Sequence, residues 1–199
     1  MQKKLLITIV LLLGAILLVG MLPVHGEAAV YDTVVRLHVL ANSDSDEDQA
    51  LKLRVRDAVL NVTAPLLADC KTQEEAETVI RSNASTIQSA AASAVAAAGR
   101  QDPVTLRLGL EDYPERRYDS VCFPSGEYLS LRVCIGDAEG QNWWCCLFPP
   151  LCLGASSVSA AEAEDSFLAV GLTPSQYKII TETDKPVYKI RFKLLELLR

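Results

Sequence analysis

The chain has 199 residues, 50% of them hydrophobic, and a formal net charge of −6. That length suits one ordinary domain and is short for two. The acidic balance argues against a nucleic-acid partner, which needs a basic surface, and against electrostatic adhesion to anionic lipid.

A targeting signature comes first. Met1-Gln-Lys-Lys4 is basic, Leu5–Leu22 is apolar apart from Thr8, Gly14 and Gly20, and Pro23 breaks the run. Gly26 and Ala28 offer small residues for cleavage. Residues 1–28 therefore read as a secretory signal peptide or as an uncleaved membrane anchor, with membrane contact confined to residues 1–22. Both readings place the remainder outside the cytoplasm, with residues 29–153 as one α+β domain.

Thr33–Leu40 sets Val35, Leu37 and Val39 against Arg36 and His38, the alternation of a half-buried strand. Ser45 then caps a helix, with Asp48 at its third position and Asp46, Glu47 and Asp48 at the positive end of the dipole. This helix runs to about Ala64 on a stripe of Leu51, Val55, Ala58, Val59 and Val62, while Asp48, Lys52 and Arg56 step up another face. Thr72-Gln-Glu-Glu75 is a capping box, and Gly99 is placed to close a second helix. Ala76, Ile80, Ala84, Ile87, Ala91, Val95 and Ala98 form its apolar face.

Three further strands follow. Val104–Leu110 alternates, and Glu127–Ile135 points Leu129, Leu131, Val133 and Ile135 inward. Gly136–Gly140 reads as a hairpin connection and Asn142–Phe148 as the returning strand. The order β-α-α-β-β-β defines an α+β fold, a mainly antiparallel four-stranded sheet with two helices on one face. Strand parity places Arg36, His38, Arg107, Tyr128, Arg132 and one of Trp143 and Trp144 on the face away from the helices. Arginines and aromatics are enriched in interface hot spots, so that face is either a protein-binding surface or the seat of the C-terminal segment. Residues 154–175 read as a linker, with Ser, Ala and Glu dominating Gly154–Asp165. The remainder, 176–199, reads as an amphipathic helix started by Thr183 or Asp184 before Pro186, although Tyr188, Ile190 and Phe192 also fit a strand.

An exported chain with six cysteines can form disulfides. Cys145 with Cys152 would close a short loop around Pro149-Pro150, stabilising by roughly 2–3 kcal/mol. Cys134 could compete for either partner, and buried thiols are the other outcome. With His38 the only histidine after the signal and no Cys-x-x-Cys, neither a metal nor a cofactor is expected. A Cys/His hydrolase using His38 with Cys145 or Cys152 is arithmetically possible, and an anchored structural module is a further alternative.

Two long strings carry a resemblance. One is Arg36-Leu-His-Val-Leu-Ala-Asn-Ser-Asp-Ser-Asp-Glu-Asp-Gln-Ala-Leu-Lys-Leu-Arg-Val-Arg-Asp57. The other runs from Tyr113-Pro114 through Phe123-Pro-Ser-Gly-Glu-Tyr128, Leu131-Arg132 and Gly136 to Asn142-Trp-Trp-Cys145 and Phe148-Pro-Pro-Leu-Cys152. Both resemble the stage II sporulation protein R family. The chain departs from that pattern at Asp119, where a glycine is expected, and in its extra Cys122, Cys134 and Cys146. The resemblance implies a protein of endospore formation, exported to the space between forespore and mother-cell membranes. There it would activate, by binding and without catalysis, a membrane-embedded aspartic protease that processes an inactive sigma-factor precursor. Together with the bare sheet face, these strings give the expected partner-binding set: Arg36, His38, Asn42, Asp44, Asp48, Lys52, Arg56, Tyr128, Arg132, Trp143 and Trp144.

Overall fold

The computed structural model describes residues 30–118, 121–150 and 160–170, together with Lys3, Leu172 and Tyr177. Apart from Lys3, the signal or anchor of residues 1–28 lies outside the described residues, as do Asp119, Cys152 and the C-terminal run from Pro186. Among those described, no helix is long and apolar enough to cross a membrane.

The fold starts from β1, Val35–Leu40, in which every residue is buried. It lies inside a sheet of order β2-β5-β1-β6, formed with β2 (Val104–Tyr113), β5 (Gly126–Ile135) and β6 (Asn142–Phe148). Neighbours β2/β5 and β1/β6 are antiparallel, while β1/β5 is parallel. The α+β reading with a mainly antiparallel sheet therefore holds. The hairpin does not: β5 and β6 are separated by β1, so Gly136–Gly140 crosses the end of β1 instead of turning between neighbours. Backbone amides fix that crossing, Glu139 N–H donating to Asn42 O at 3.2 Å and Gly140 N–H to Ala41 O at 3.0 Å. A short two-stranded sheet, β3 (Arg116–Tyr118) with β4 (Val121–Phe123), completes the strands among the described residues.

Ser45 caps α1, Asp46–Leu67, by accepting the Asp48 amide at 3.2 Å. The helix passes Pro65 and ends with Leu67 buried in the core. The second helical run is broken at Asn83 into α2 (Gln73–Ser82) and α3 (Ala84–Ala97). The Asn83 amide nitrogen donates to Val79 O at 2.8 Å, and such side-chain competition for helix carbonyls favours interruption. Ala84, counted in the apolar face, is consequently exposed. Gly99, at φ 73°, closes α3 with two paired bonds, Arg100 N–H to Val95 O and Gly99 N–H to Ala96 O.

These helices pack Leu51, Val55, Val59, Ile80, Ile87, Ala91 and Val95 on Leu37, Val39, Leu131 and Val133 of the sheet. A second apolar cluster covers the opposite face. It joins Tyr113, Phe123, Tyr128 and Cys146 to Phe167 of α4 (Ala160–Ala169), Leu172 and Tyr177. The span expected to be a linker thus holds a helix with a fully buried phenylalanine. Covering on both faces is why Arg36 and His38 are interior residues of a strand that reads as half-buried.

The β5–β6 crossing leaves no room at Gly140, where an added Cβ would lie 2.2 Å from Ser43 O. At Gly109, on the edge strand β2, nothing lies within 4 Å. We therefore expect Gly140→Ala to lower stability by about 1–3 kcal/mol in urea unfolding. Gly109→Ala should leave it unchanged within about 1 kcal/mol.

Candidate functional site

Arg36 is fully buried on the face away from the helices. Its guanidinium carbon lies 4.5 Å from the Phe123 ring centroid, 4.6 Å from Tyr113 and 5.2 Å from Tyr128. Desolvated contacts of this kind are worth up to about 2 kcal/mol each. Its Nε donates to Cys145 O at 3.0 Å, which ties the charge to β6. Tyr128 is also fully buried; its hydroxyl donates to Pro124 O at 2.6 Å, and burial pushes its pKa upward. Phe167 packs against Phe123 with its ring tilted by 53° and centroids 6.1 Å apart. This half of the face is closed.

Asn42, Asp44, Asp48 and Lys52, all expected to meet a partner, hold the β5–β6 crossing. Asn42 Oδ1 accepts the Asp137 amide at 2.9 Å, and its Nδ2 donates to Asp48 Oδ2 at 2.9 Å. Asp44 Oδ1 accepts the Gln141 amide at 2.7 Å. Buried Lys52 donates to Gln141 O at 3.0 Å and to Gln49 Oε1, and burial draws its pKa down. The Ser43 hydroxyl, at 2.6 Å, and then Asn42 and Arg100 hold the buried Asp48 carboxyl below its usual range against the opposing effect of burial. A carboxyl lowered in this way stabilises the fold above its unfolded value, near 3.9, and that contribution is lost as pH falls through the folded value. Asp48→Asn should thus be less stable at pH 7 by about 1–3 kcal/mol. Its unfolding midpoint should also fall less than the parent's between about pH 4 and pH 2.

The other half of the face is polar and, among the described residues, less covered. Cross-strand register aligns Arg107 of β2, Arg132 of β5, His38 of β1 and Trp144 of β6 in one row. His38 is 5% exposed, its Nδ1 lying 2.8 Å from Glu111 Oε1 and its Nε2 2.7 Å from Asn142 Oδ1. Arg132 Nη1 lies 3.5 Å from the same Glu111 oxygen and keeps a side-chain exposure of 39%. Trp144 is half-buried, 5.3 Å from the His38 ring, with the Arg116 guanidinium 4.0 Å above its own ring. Parity assigned one tryptophan to this face, and it is Trp144. Trp143 packs against the helix-side core under Arg56, at 4.8 Å.

Of the expected set, Arg36, His38, Asp48, Lys52 and Tyr128 belong to the interior, and Arg132 and Trp144 come together on the open half. Asp44 is exposed at the loop clamp, with half-buried Asn42 beside it, and Arg56 and Trp143 stand on the opposite side. Sequence reasoning missed Glu111 and Arg116. Glu111 was within reach, since it continues the alternation of Arg107; Arg116 gave no signal.

A hydrolase pairing of His38 with Cys145 does not form. Cys145 pairs with Leu37 on the helix side, whereas His38 points to the other face between Glu111 and Asn142. Cys145 is moreover disulfide-bonded, while Cys70, Cys122, Cys134 and Cys146 stay reduced. The competition by Cys134 is thereby settled against it; Cys152 lies outside the described residues. No group of three His, Cys, Asp or Glu among the described residues could hold a metal ion. Burial pushes the Cys146 thiol up to about 12, and the Cys70 thiol upward as well. Alkylation of the native protein should therefore modify half-buried Cys134 first, Cys70, Cys122 and Cys146 far more slowly, and Cys145 only after reduction. Peptide mass spectrometry along a time course checks that order.

The fold and this face define an α+β domain with a mixed sheet, one side sealed by helices and the other bearing a buried arginine beside an open patch of arginine and tryptophan. The family described as stage II sporulation protein R (spore_II_R) matches residues 31–157, and the chain belongs to that family. It is also similar to "Stage II sporulation protein R" of Bacillus subtilis (strain 168), with 39% identity over 121 residues. That match covers 61% of this chain and 54% of the relative, so the chain spans about half the length of that protein. No solved structure matches.

Proposed function

We propose that this protein is an exported signal of endospore formation that acts by binding. In this reading residues 1–28 carry it out of the forespore into the space between the two membranes, where membrane contact is limited to residues 1–22. The folded domain meets a membrane-embedded aspartic protease and activates it to process an inactive sigma-factor precursor in the mother cell. No nucleic acid and no cofactor takes part.

Membership of the stage II sporulation protein R family carries this reading. The chemistry of the domain supports it. The Cys145–His38 nucleophile pair is dismantled by strand parity, and what the domain offers is a surface. Both long strings that carry the resemblance lie within the matched residues, and they build the clamp and the arginine cage and supply His38, Arg132 and Trp144 to the patch beside it.

Co-expression in a non-sporulating host tests the proposal, using the chain with and without residues 1–28 beside the protease and the precursor. Precursor cleavage should require the chain that retains residues 1–28. Absence of cleavage with all three proteins present and correctly located would overturn the reading.

A further inference from the structure

The open half of the sheet face has an excess of positive charge that the fold does not use. Arg107 and Arg132 stand directly opposite each other on neighbouring antiparallel strands, an arrangement that is destabilising for like charges. Arg116 adds a third guanidinium over Trp144. Against these stands Glu111, whose Oε1 already serves His38 at 2.8 Å and reaches Arg132 only at 3.5 Å. Arg107 and Arg116 form no ion pair among the described residues, and the buried Nε atoms of Arg116 and Arg132, like the buried Glu111 Oε2, have no hydrogen-bond partner there. This concentration of cations sits in a chain of net charge −6.

We infer that Arg107, Arg116, Arg132 and Trp144 form the docking surface for an acidic peptide segment of the partner protein. The inference rests on the proposed function and names the chemistry of the contact. Guanidiniums offer forked donors that match carboxylates, and half-buried Trp144 supplies apolar area at the end of the row. Three strand spacings place Arg107 and Trp144 about 14 Å apart, the reach of about four extended residues. A short segment of that length feels the local arginines. A polyanion the size of a nucleic acid or a bilayer would also meet the acidic remainder, since charges interact over about 8 Å at physiological salt. The chain's own C-terminal run does not fit, because Lys185, Lys189, Arg191, Lys193 and Arg199 outnumber Asp184 and Glu196.

Two measurements test the docking surface. In the first, the purified full-length protein is titrated with a fluorescein-labelled peptide of alternating glutamate and leucine, with a lysine-leucine peptide as control, and anisotropy is followed. The glutamate peptide alone should bind, at least tenfold more weakly at 0.5 M than at 0.05 M salt, and at least tenfold more weakly to Arg107→Glu. Arg107 is exposed, so its reversal leaves the fold intact, as circular dichroism will show; Arg132→Glu and Arg132→Lys then separate charge from packing. Equal binding of both peptides, no effect of Arg107→Glu, or preferential binding to phosphatidylserine vesicles would each overturn the inference. In the second, Arg107→Glu enters the co-expression assay beside Arg54→Glu, an exposed arginine on α1. Precursor cleavage should drop at least tenfold with the first and stay unchanged with the second. Cleavage by the parent that persists with Arg107→Glu sinks the docking surface and spares the proposed function. If the parent itself gives no cleavage, the function falls and the peptide titration decides the surface by itself.

Discussion

Everything in this structure turns on a charged side chain buried in the middle of a sheet. Arg36 sits on the central strand, has no solvent exposure, and among the described residues is held by three aromatic rings and one backbone carbonyl. A guanidinium so placed loses its hydration, and these partners offset part of that loss. They come from four separate places: Tyr113 at the end of β2, Phe123 on β4, Tyr128 on β5 and the carbonyl of Cys145 on β6. Satisfying one charge therefore fixes the relative positions of most of the strands. It also explains why β3 and β4 exist, since their small sheet brings Phe123 over the arginine.

A second constraint acts at the opposite end of β1. There the chain must pass from β5 to β6 over a strand that lies between them, which exposes loop amides to a crowded surface. Asn42 and Asp44 supply acceptors for two of those amides, while Asp48 and Lys52 brace the clamp from α1. The dense polar string from Asn42 to Lys52 looks like a binding motif in the sequence. Its hydrogen bonds are made largely within the chain, and the docking surface inferred above lies instead on the row that ends in Trp144.

The parts legible in the sequence were those set by local chemistry. Ser45 and Thr72 cap helices through their own hydroxyls, Gly99 closes a helix because only its φ fits, and alternation sorts each strand residue to its face. Period-two patterning says which face a residue occupies and nothing about which strand lies beside it. The insertion of β1 between β5 and β6 was therefore invisible, and so was the depth at which Arg36 and His38 sit. The break at Asn83 depends on one side-chain amide reaching a carbonyl, a signal too small to stand out inside a strong apolar stripe. Within the candidate site, Arg132 and one of the two tryptophans could be placed by parity, but Arg116 arrives through the β3–β4 excursion, whose path no periodicity encodes.

The parallel pairing of β1 with β5 has a consequence in time. A polypeptide emerges N-terminus first, so β1 is the earliest of these strands to appear, yet both of its neighbours come from the far end of the domain: Val35 pairs with Leu129 on one side and with Phe148 on the other. Until that distant chain has arrived, a strand that is buried at every residue in the finished fold has unsatisfied amides along both edges. Pairings of such long separation form late, because the loop between them must be closed before any contact rewards it. The helices can form in the meantime on their own caps, and they give Leu37 and Val39 an early surface to rest against. Completion of the sheet is thus deferred to the last segment, and a chain cut short before Phe148 would hold its helices while leaving its central strand open to whatever other strand it meets.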